Sequence, residues 1–350
     1  MVMRGGTSKG AYFHRDDVPV DPGERDRLLL RIMGTPDPRQ IDGIGGAHPL
    51  TSKVAVVGPA VSSRADVEYL FLQLGVGEAF ASTAQNCGNI LAGVGPFAVE
   101  RGMVAAGGEE ASVVIHMLNT DSYAVATFPV ARGVPVYAGD TAISGVPGTA
   151  APVRLDFEGI AGGTAGALLP TGRSVDVIAG VECTLIDNGM PVVVMRAADV
   201  GVSGYESCAE LEVNEGLRTR LEVIRCAAGP LMNLGDVSRA PIPKLTLVAP
   251  PEAGGSITTR TFIPHRCHEA IGVLGGVSVA TAALIEGTPA AGAAGTIGGD
   301  AIVLEHPSGS FEAVISIAGY ADGVPVIERA GIIRTARKLM DGVVFPRAYE

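Results

Sequence analysis

Hydrophobic residues in this chain occur mostly in short runs between glycines and prolines, which is typical of strands joined by tight turns. Leucine and isoleucine at helical spacing predict a helix at 22–33, and an Ala/Gly/Val-rich run predicts a buried helix at 90–99. A glycine- and alanine-rich stretch at 159–172 indicates a domain boundary. In the part before that boundary, the pattern predicts strands at 11–14, 54–57, 66–74, 113–117, 123–130 and 153–157.

The order of predicted elements begins again beyond this boundary. The segment 183–194 repeats the loop-then-strand layout of the opening, and Lys244 precedes a strand as Lys53 does. The run 272–282 stands where the cysteine loop and the helical run 90–99 stood. The repeat predicts two pseudo-symmetric domains, each a mixed sheet around a central helix, with the active site in the interdomain cleft. Chance similarity among Val/Ala/Gly-rich strands is the alternative reading.

We therefore expect an α+β fold with two domains and a short C-terminal segment. The first domain is predicted at 1–165, and it holds the residues with the clearest candidate chemistry. The second is predicted at 166–335, and the last segment, 336–350, is expected to return to the first domain. A length of 350 residues is too great for one typical core, which agrees with two domains.

Composition narrows the function classes. Hydrophobic residues are 47% and charged residues 18% of the chain, which indicates a globular protein. The net charge of −11 argues against nucleic acid and acidic membranes as partners, but a pocket can be locally basic. We predict neither a signal peptide nor a transmembrane helix. The 5 cysteines are widely spaced without a CxxC pair, so we expect reduced thiols and a cytoplasmic location.

Cys87 is the first candidate for chemistry. It immediately precedes the predicted helix 90–99, and a helix N-terminus stabilises a thiolate and holds anions. The neighbouring Asn86, Gly88 and Asn89 favour this reading, because polar residues around a core cysteine need a reason. The alternative is that Cys87 is a small buried core residue.

Lys53 is the second candidate, at the mouth of a strand beside Thr51 and Ser52. A lysine acts as a base only when neutral, and an apolar, glycine-lined cleft favours that state. Alternatively, Lys53 only pairs with a substrate carboxylate or is solvated at a strand edge. Lys244 at the matching place is expected to bind a carboxylate. The second half has no cysteine at its helix start, so we predict an asymmetric pair suited to an isomerase or tautomerase.

Three further segments bear on ligands. The segment Arg4–Gly10 is rich in glycine but lacks the phosphate-loop pattern, so we expect it to offer N–H and hydroxyl donors to an anion. The cluster 265–268 has adjacent His and Cys residues that cannot converge on one metal, so no metal is predicted. Its Cys267 is a rival nucleophile without the helix-start context. The turn 306–309 could offer a serine hydroxyl, although a structural role is the simpler reading.

Six motifs together resemble the family of 2-methylaconitate isomerases, methylitaconate isomerases and 4-oxalomesaconate tautomerases, and they extend over essentially the whole chain. They are Met3-Arg4-Gly5-Gly6-Thr7-Ser8-Lys9-Gly10, Gln40-Ile41-Asp42-Gly43-Ile44-Gly45-Gly46, Leu50-Thr51-Ser52-Lys53, Gln85-Asn86-Cys87-Gly88-Asn89, Ile186-Asp187-Asn188-Gly189-Met190-Pro191 and Glu305-His306-Pro307-Ser308-Gly309. Members usually carry a longer segment before the Arg-Gly-Gly loop, so the resemblance leaves open whether the N-terminus is truncated.

The resemblance implies a diaminopimelate-epimerase-like fold and an enzyme without cofactor or metal. Its paired catalytic lysine and cysteine correspond to Lys53 and Cys87. Which of the two is the base stays open. The residues expected to bind the substrate are Arg4, Gly5, Gly6, Thr7, Ser8, Ser52, Asn86, Gly88, Asn89, Lys244, Arg266, Ser278 and Ser308.

The expected substrate is an unsaturated tricarboxylate. The first candidate is 4-oxalomesaconate, isomerised between keto and enol forms or by a shift of its double bond, in gallate or protocatechuate catabolism. The alternatives are a 2-methylaconitate or methylitaconate isomerase, and a non-catalytic carboxylate-binding accessory protein. The oligomeric state is not determined by the sequence, and a homodimer is one option.

Overall fold

The computed structural model describes residues 1–83, 86–299, 301–321 and 324–348. The chain divides into two compact units, called here unit one (Met1–Glu158 with Ile333–Glu350) and unit two (Gly159–Ile332). Both units combine a mixed sheet with a few helices, so the fold is α+β. Within the described ranges, every helix is too short or too polar to cross a membrane.

Unit one is built mainly from strands. Its helices are α1 (Pro22–Met33), α2 (Gly88–Leu91) and α3 (Val94–Glu100). Its strands are β1 (Val2–Gly5), β2 (Ser8–His14), β3 (Lys53–Pro59), β4 (Val67–Leu74), β5 (Ala81–Ser82), β6 (Glu110–Met117), β7 (Ser122–Ala131), β8 (Val134–Pro135) and β9 (Pro152–Glu158).

Unit two contains several helices. These are α4 (Cys208–Val213), α5 (Glu215–Leu231), α6 (Val273–Ala283) and α7 (Pro289–Ala293). Its strands are β10 (Asp176–Ile178), β11 (Val181–Asp187), β12 (Pro191–Arg196), β13 (Lys244–Ala249), β14 (Ile257–Phe262), β15 (Ala301–His306), β16 (Gly309–Ala321) and β17 (Val324–Met340). The second part of β17 belongs to unit one, where it pairs with β1.

The two units have the same succession of strand pairings. In unit one, β1–β2 is antiparallel, β2–β3 parallel, β3–β4 antiparallel, β4–β6 parallel, and β6–β7 and β7–β9 antiparallel. In unit two, β11–β12 is antiparallel, β12–β13 parallel, β13–β14 antiparallel, β14–β15 parallel, and β15–β16 and β16–β17 antiparallel. In each unit a lysine begins the third strand of the series, at Lys53 and at Lys244.

A helical segment lies against the sheet of each unit. In unit two, α6 contacts β11, β12, β15 and β16. In unit one, α2 contacts β1, β2 and β3, while α3 contacts β3, β6 and β7. All of α6 except Leu274 is buried, and so is α3 except Glu100, as expected for helices that are apolar on all sides.

Local signals set the bounds of α1 as predicted. Asp21 caps its N-terminus by accepting from Glu24 N at 2.8 Å, Pro22 occupies the first turn, and Gly34 ends it in the left-handed conformation with φ of 81°. The inner face, Leu29, Ile32 and Met33, packs on Val54, Val56 and Leu72 of the sheet.

Two expectations differ from the structure. The opening segment, predicted as a loop, is a hairpin, because Ser8 and Lys9 of β2 pair with Gly5 and Arg4 of β1. The predicted single helix 90–99 is two short helices, α2 and α3. At the break, Ile90 O accepts from Gly93 N at 3.0 Å, in a tighter turn, and from Tyr12 OH at 2.6 Å. Pro96 in the first turn of α3 has no N–H to continue the helical bonding to Ala92 O.

Candidate active site

Lys53 is a buried residue of unit one. It is the first residue of β3, only 7% exposed, and pairs with Gln73 across β3 and β4. Its Nζ donates to Gln73 Oε1 at 2.6 Å and lies 5.2 Å from the centroid of the Phe71 ring. The amine therefore meets one neutral acceptor and an aromatic face.

Cys87 is the N-cap residue of α2 and is partly exposed. Its carbonyl accepts from Leu91 N at 2.9 Å, which closes the first helical turn, and Tyr69 OH also approaches this carbonyl, at 3.5 Å. The helix after it has only 4 residues before the break. The macrodipole at Cys87 is therefore smaller than the sequence predicted, whereas the unpaired N–H groups of a first turn remain.

One face of β4 connects the lysine and the cysteine. Tyr69, Phe71 and Gln73 alternate along the strand, so their side chains point to the same face. Tyr69 contacts the Cys87 carbonyl, whereas Phe71 and Gln73 contact the Lys53 amine. The structure thus brings the two predicted catalytic residues to one side of β4.

The electrostatics of this face favour neutral tyrosines. Burial, followed by the charge of Cys87, raises the pKa of Tyr12 and of Tyr69 well above the usual range. Both phenols therefore keep their protons and act as hydrogen-bond donors to the backbone of the Cys87–Ile90 turn.

The glycine-rich segment 40–46 supports the loop before Lys53. Gln40 is 2% exposed, and its Oε1 accepts from Ser52 Oγ at 2.7 Å and from Ala47 N at 2.8 Å. A Cβ on Gly45 would lie 2.2 Å from that oxygen, so a side chain there would displace the Gln40 amide. The sequence predicted that Ser52 binds substrate. In the structure its hydroxyl donates a hydrogen bond to Gln40 Oε1.

The opening hairpin packs on the start of α2. Asn89 Nδ2 donates to Thr7 Oγ1 at 3.1 Å, and Asn89 Oδ1 accepts from Thr7 N at 3.5 Å. A Cβ on Gly5 would lie 2.4 Å from Asn89 O, and one on Gly6 2.2 Å from Asn89 Oδ1. The two glycines are therefore required for this contact, and the predicted residues 5–8 and 86–89 lie together.

Three polar side chains near this contact, Arg4, Ser8 and Asn86, differ in which of their atoms are hydrogen-bonded. Arg4 Nη1 donates to Gly6 O at 3.0 Å and to Thr335 Oγ1 at 2.9 Å, so part of its guanidinium braces the hairpin. Ser8 is 2% exposed, and its hydroxyl has no partner among the described residues. Asn86 Nδ2 donates to Thr120 Oγ1 at 2.5 Å, while its buried Oδ1 has no partner in the described part of the chain. Gln85 lies outside the described residues.

Lys244 begins β13 in unit two and is partly exposed. Its Nζ donates to Pro241 O at 2.7 Å, and burial, followed by the charge of Arg225, lowers its pKa to about 8. Arg225 is fully buried: its Nη1 donates to the carbonyls of Val237, Ala240 and Ile242, and its Nε and Nη2 bind Glu222. This arginine shapes the loop that leads into Lys244.

Three other predicted binding residues have structural partners in unit two. Ser278 is fully buried, donates to Met190 O at 2.7 Å and accepts from Asn188 N at 3.0 Å. Ser308 Oγ donates to Glu269 O at 2.6 Å. Arg266 is exposed and pairs with Glu212 at 3.4 Å.

The 5 cysteines are free thiols. Cys267 is buried, with its Sγ 3.0 Å from Cys208 Sγ, and burial raises its pKa above the ordinary range. It therefore lacks the open surroundings that Cys87 has. Among the residues that the structure describes, His, Cys, Asp and Glu side chains do not gather in threes as metal ligands.

Two residues of this site were missing from the sequence reasoning. Gln73 is the direct partner of the Lys53 amine, and Tyr69 reaches the Cys87 carbonyl. The available signal was the alternation along β4, which puts both residues on one face, but the sequence did not indicate what that face contacts.

Comparison with known proteins gives consistent matches over the chain. The family model described as "PrpF protein" matches residues 1–347. The chain is 57% identical to the (4E)-oxalomesaconate Delta-isomerase of Novosphingobium sp. (strain KA1), over 99% of this chain and 96% of that protein. It is also 57% identical to the 4-oxalomesaconate tautomerase of Pseudomonas putida (strain KT2440), over 98% of this chain and 94% of that protein.

A solved structure has the same fold. The crystal structure of a methylitaconate-delta-isomerase superposes with a TM-score of 0.88 at 35% identity, covering 97% of this chain and 93% of that one. The sequence motifs and the strand topology therefore point to the same group of proteins.

Proposed function

Since the chain belongs to the PrpF family and is an isomerase, we propose that it interconverts isomers of 4-oxalomesaconate, an unsaturated tricarboxylate. The relatives named for this substrate support the proposal, since they share more than half of their residues with this chain. We place the reaction in gallate or protocatechuate catabolism in the cytoplasm, which agrees with 5 free cysteines.

The observation that carries the chemistry is the shared face of β4. Lys53 Nζ lies over Phe71 and against Gln73, while the Cys87 turn lies at Tyr69 on the same face. Two proton-transfer groups of different kinds thus flank one surface. Tyr69 and Phe71 are fully buried, so in this proposal the substrate lies beside this face and not on it. The Lys53 amine and the Cys87 thiol are the two different groups that a proton shift between two atoms requires.

In the proposed reaction, neutral Lys53 takes a proton from the methylene carbon between the keto group and the alkene. The electron pair of that C–H bond spreads over a dienolate, which the adjacent carbonyl and conjugated alkene stabilise. Cys87 then gives a proton to the enolate oxygen, which completes the keto–enol exchange. The lysine returns its proton to solvent, the thiolate regains one, and only protein acid–base groups are needed.

A second candidate reaction shares the first step. If the proton from Cys87 reaches the far alkene carbon, the product is the isomer with a shifted double bond. The Novosphingobium relative, named a Delta-isomerase, favours this candidate as strongly as the Pseudomonas tautomerase favours the first. Proton NMR in D₂O separates them, because the double-bond shift leaves a carbon-bound deuterium at the far carbon.

We assign carboxylate binding to donors that face the Cys87 turn and to one cation of unit two. The candidates in unit one are the N–H groups at Gly88 and Asn89, the unpaired hydroxyl of Ser8, and the part of Arg4 not bound to the hairpin. In unit two the candidate is Lys244. That the two units form pseudo-symmetric domains with a catalytic cleft between them stays a prediction.

The direct test is Lys53→Met, which keeps the length of the side chain and removes the amine. We expect the rate of 4-oxalomesaconate isomerisation, followed by ultraviolet absorbance, to fall about 10²–10⁴-fold. Lys338→Met is the matched control, because Lys338 pairs with Glu100 on β17 and α3, and it should keep the wild-type rate.

A wild-type rate in the Lys53→Met protein would exclude this lysine as the base. The accessory-protein alternative has its own test: an isolated protein that incorporates no solvent deuterium into substrate would be non-catalytic. Equal rates on 2-methylaconitate and 4-oxalomesaconate would exclude the substrate assignment.

A further inference from the structure

Gln73 is the residue nearest to the Lys53 amine, and the sequence reasoning gave it no role. It lies on β4 directly opposite Lys53 in the antiparallel register. Its Oε1 accepts a hydrogen bond from Lys53 Nζ at 2.6 Å. The acceptor is an amide oxygen and carries no net charge, although a carboxylate is the commoner partner of a partly buried lysine.

The orientation of the Gln73 amide is determined by its other end. Its Nε2 donates towards three backbone carbonyls, those of Pro49 at 3.1 Å, Ser52 at 3.3 Å and Leu74 at 3.2 Å. An amide nitrogen has only two hydrogens, so at least one of them is shared. Turning the amide over would put its oxygen against three carbonyl oxygens. The carbonyl of Gln73 is therefore held towards the lysine.

This arrangement suits a lysine that must work as a base. A neutral amine has two N–H bonds and one lone pair. When Gln73 Oε1 accepts one N–H, the lone pair is turned away from the glutamine and stays available to a substrate proton. A carboxylate at the same place would attract the ammonium form and hold its proton. An amide orients the amine without that charge.

We propose that Gln73 is a positioning residue that directs the Lys53 lone pair and keeps the amine able to lose its proton. The inference rests on the proposed function of Lys53 and deepens it. The Phe71 ring, 5.2 Å from Nζ, adds an apolar surface on one side of the amine, so the glutamine is its principal polar contact.

A substitution at Gln73 leaves the other titratable residues around β3 in place. On the adjoining elements these are Lys9, Tyr12 and His14 of β2, Arg15, Asp16 and Asp17 after it, His48 before β3, Glu68 and Tyr69 of β4, and Cys87 and Glu100 at the α2–α3 segment. Burial raises the pKa of both tyrosines, so they stay neutral, and Glu68 is paired with Arg15 at 2.7 Å. A variant of Gln73 alone therefore isolates its effect on Lys53.

The first variant is Gln73→Glu, which keeps the shape and adds a negative charge beside Nζ. The acid limb of the pH profile of kcat should move upward by about one pH unit or more, because a carboxylate beside Nζ stabilises the ammonium form. Activity should fall about tenfold at neutral pH and recover in alkaline solution. Glu68→Gln is the matched control on the same strand, and its profile should coincide with wild type.

The second variant, Gln73→Met, keeps the result interpretable if the glutamate disturbs the three carbonyls. It should lower kcat with little change in KM, because a positioning residue acts through Lys53 and not through substrate binding. In a Lys53→Met background the same change should cost nothing further, since a positioning residue acts only through the lysine.

The outcomes separate the two levels of the proposal. The role of Gln73 is overturned if Lys53→Met loses activity while Gln73→Glu keeps the wild-type pH profile. It is also overturned if Gln73→Met lowers the residual rate of Lys53→Met as much as it lowers the wild-type rate. If Lys53→Met keeps the wild-type rate, the proposed function fails, and the Gln73 role fails with it.

Discussion

Lys244 supplies a charge that changes close to neutral pH. Burial and the positive charge of Arg225 lower its pKa to about 8, and its Nζ is held by Pro241 O at 2.7 Å. We propose that the ammonium form binds a substrate carboxylate. Raising the pH through this pKa then removes the charge without any mutation, and substrate binding should weaken.

The magnitude follows from the fraction of Lys244 that carries a proton. A lowered lysine pKa means that the charge is present below about pH 8 and lost above it. The protonated fraction is about nine-tenths at pH 7 and about one-tenth at pH 9, so KM should rise about tenfold over that range. His268 does not add to this change, because burial lowers its pKa and leaves it neutral already.

Initial rates at several substrate concentrations, followed by ultraviolet absorbance across this pH range, separate KM from kcat. Lys244→Arg keeps its charge, and its KM should stay level through pH 8. Lys244→Gln should show a high KM that does not vary with pH. A wild-type KM that is level through pH 8, or the same rise in Lys244→Gln, would refute the assignment.

Two further predictions concern unit two. Arg225→Ala should lower the free energy of unfolding, measured in urea, by about 3–5 kcal/mol, because Glu222 and three loop carbonyls lose a buried partner. The control is Arg220→Ala at an exposed position, which should change this free energy by less than about 0.5 kcal/mol. A loss below about 1 kcal/mol for Arg225→Ala would contradict this reading. Oxidised glutathione should join Cys208 and Cys267, whose sulfurs lie 3.0 Å apart, and release two equivalents of reduced glutathione; retention of all 5 free thiols would disprove it.

Much of the local structure follows from neighbouring residues. The bounds of α1 were predictable because Asp21, Pro22 and Gly34 act within the helix and its caps. The motifs around Lys53 and Cys87 also identified the family, because they are short and contiguous. Their glycines have a local signature but a long-range reason, as Gly6 shows where it meets Asn89.

The hydrogen-bond partners of serine hydroxyls were harder to predict from the sequence. Ser52, in one of the motifs, and Ser278, in the helical run of the second half, were predicted to bind substrate. In the structure one hydroxyl binds Gln40 and the other bridges Met190 and Asn188. A serine can donate to any acceptor within reach, and residues far away in the chain decide which acceptor that is. The sequence contains the donor but not its direction.

The sequence by itself determined the bounds of α1, most strands of unit one, the family, and the pairing of a lysine with a cysteine as candidate chemistry. Only the tertiary structure decided that Gln73 faces Lys53, because that contact depends on the register of β3 against β4. It also decided that Tyr12 from β2 donates to the Ile90 carbonyl at the end of α2. Register and long-range hydrogen bonds join residues distant in sequence, so no local pattern records them.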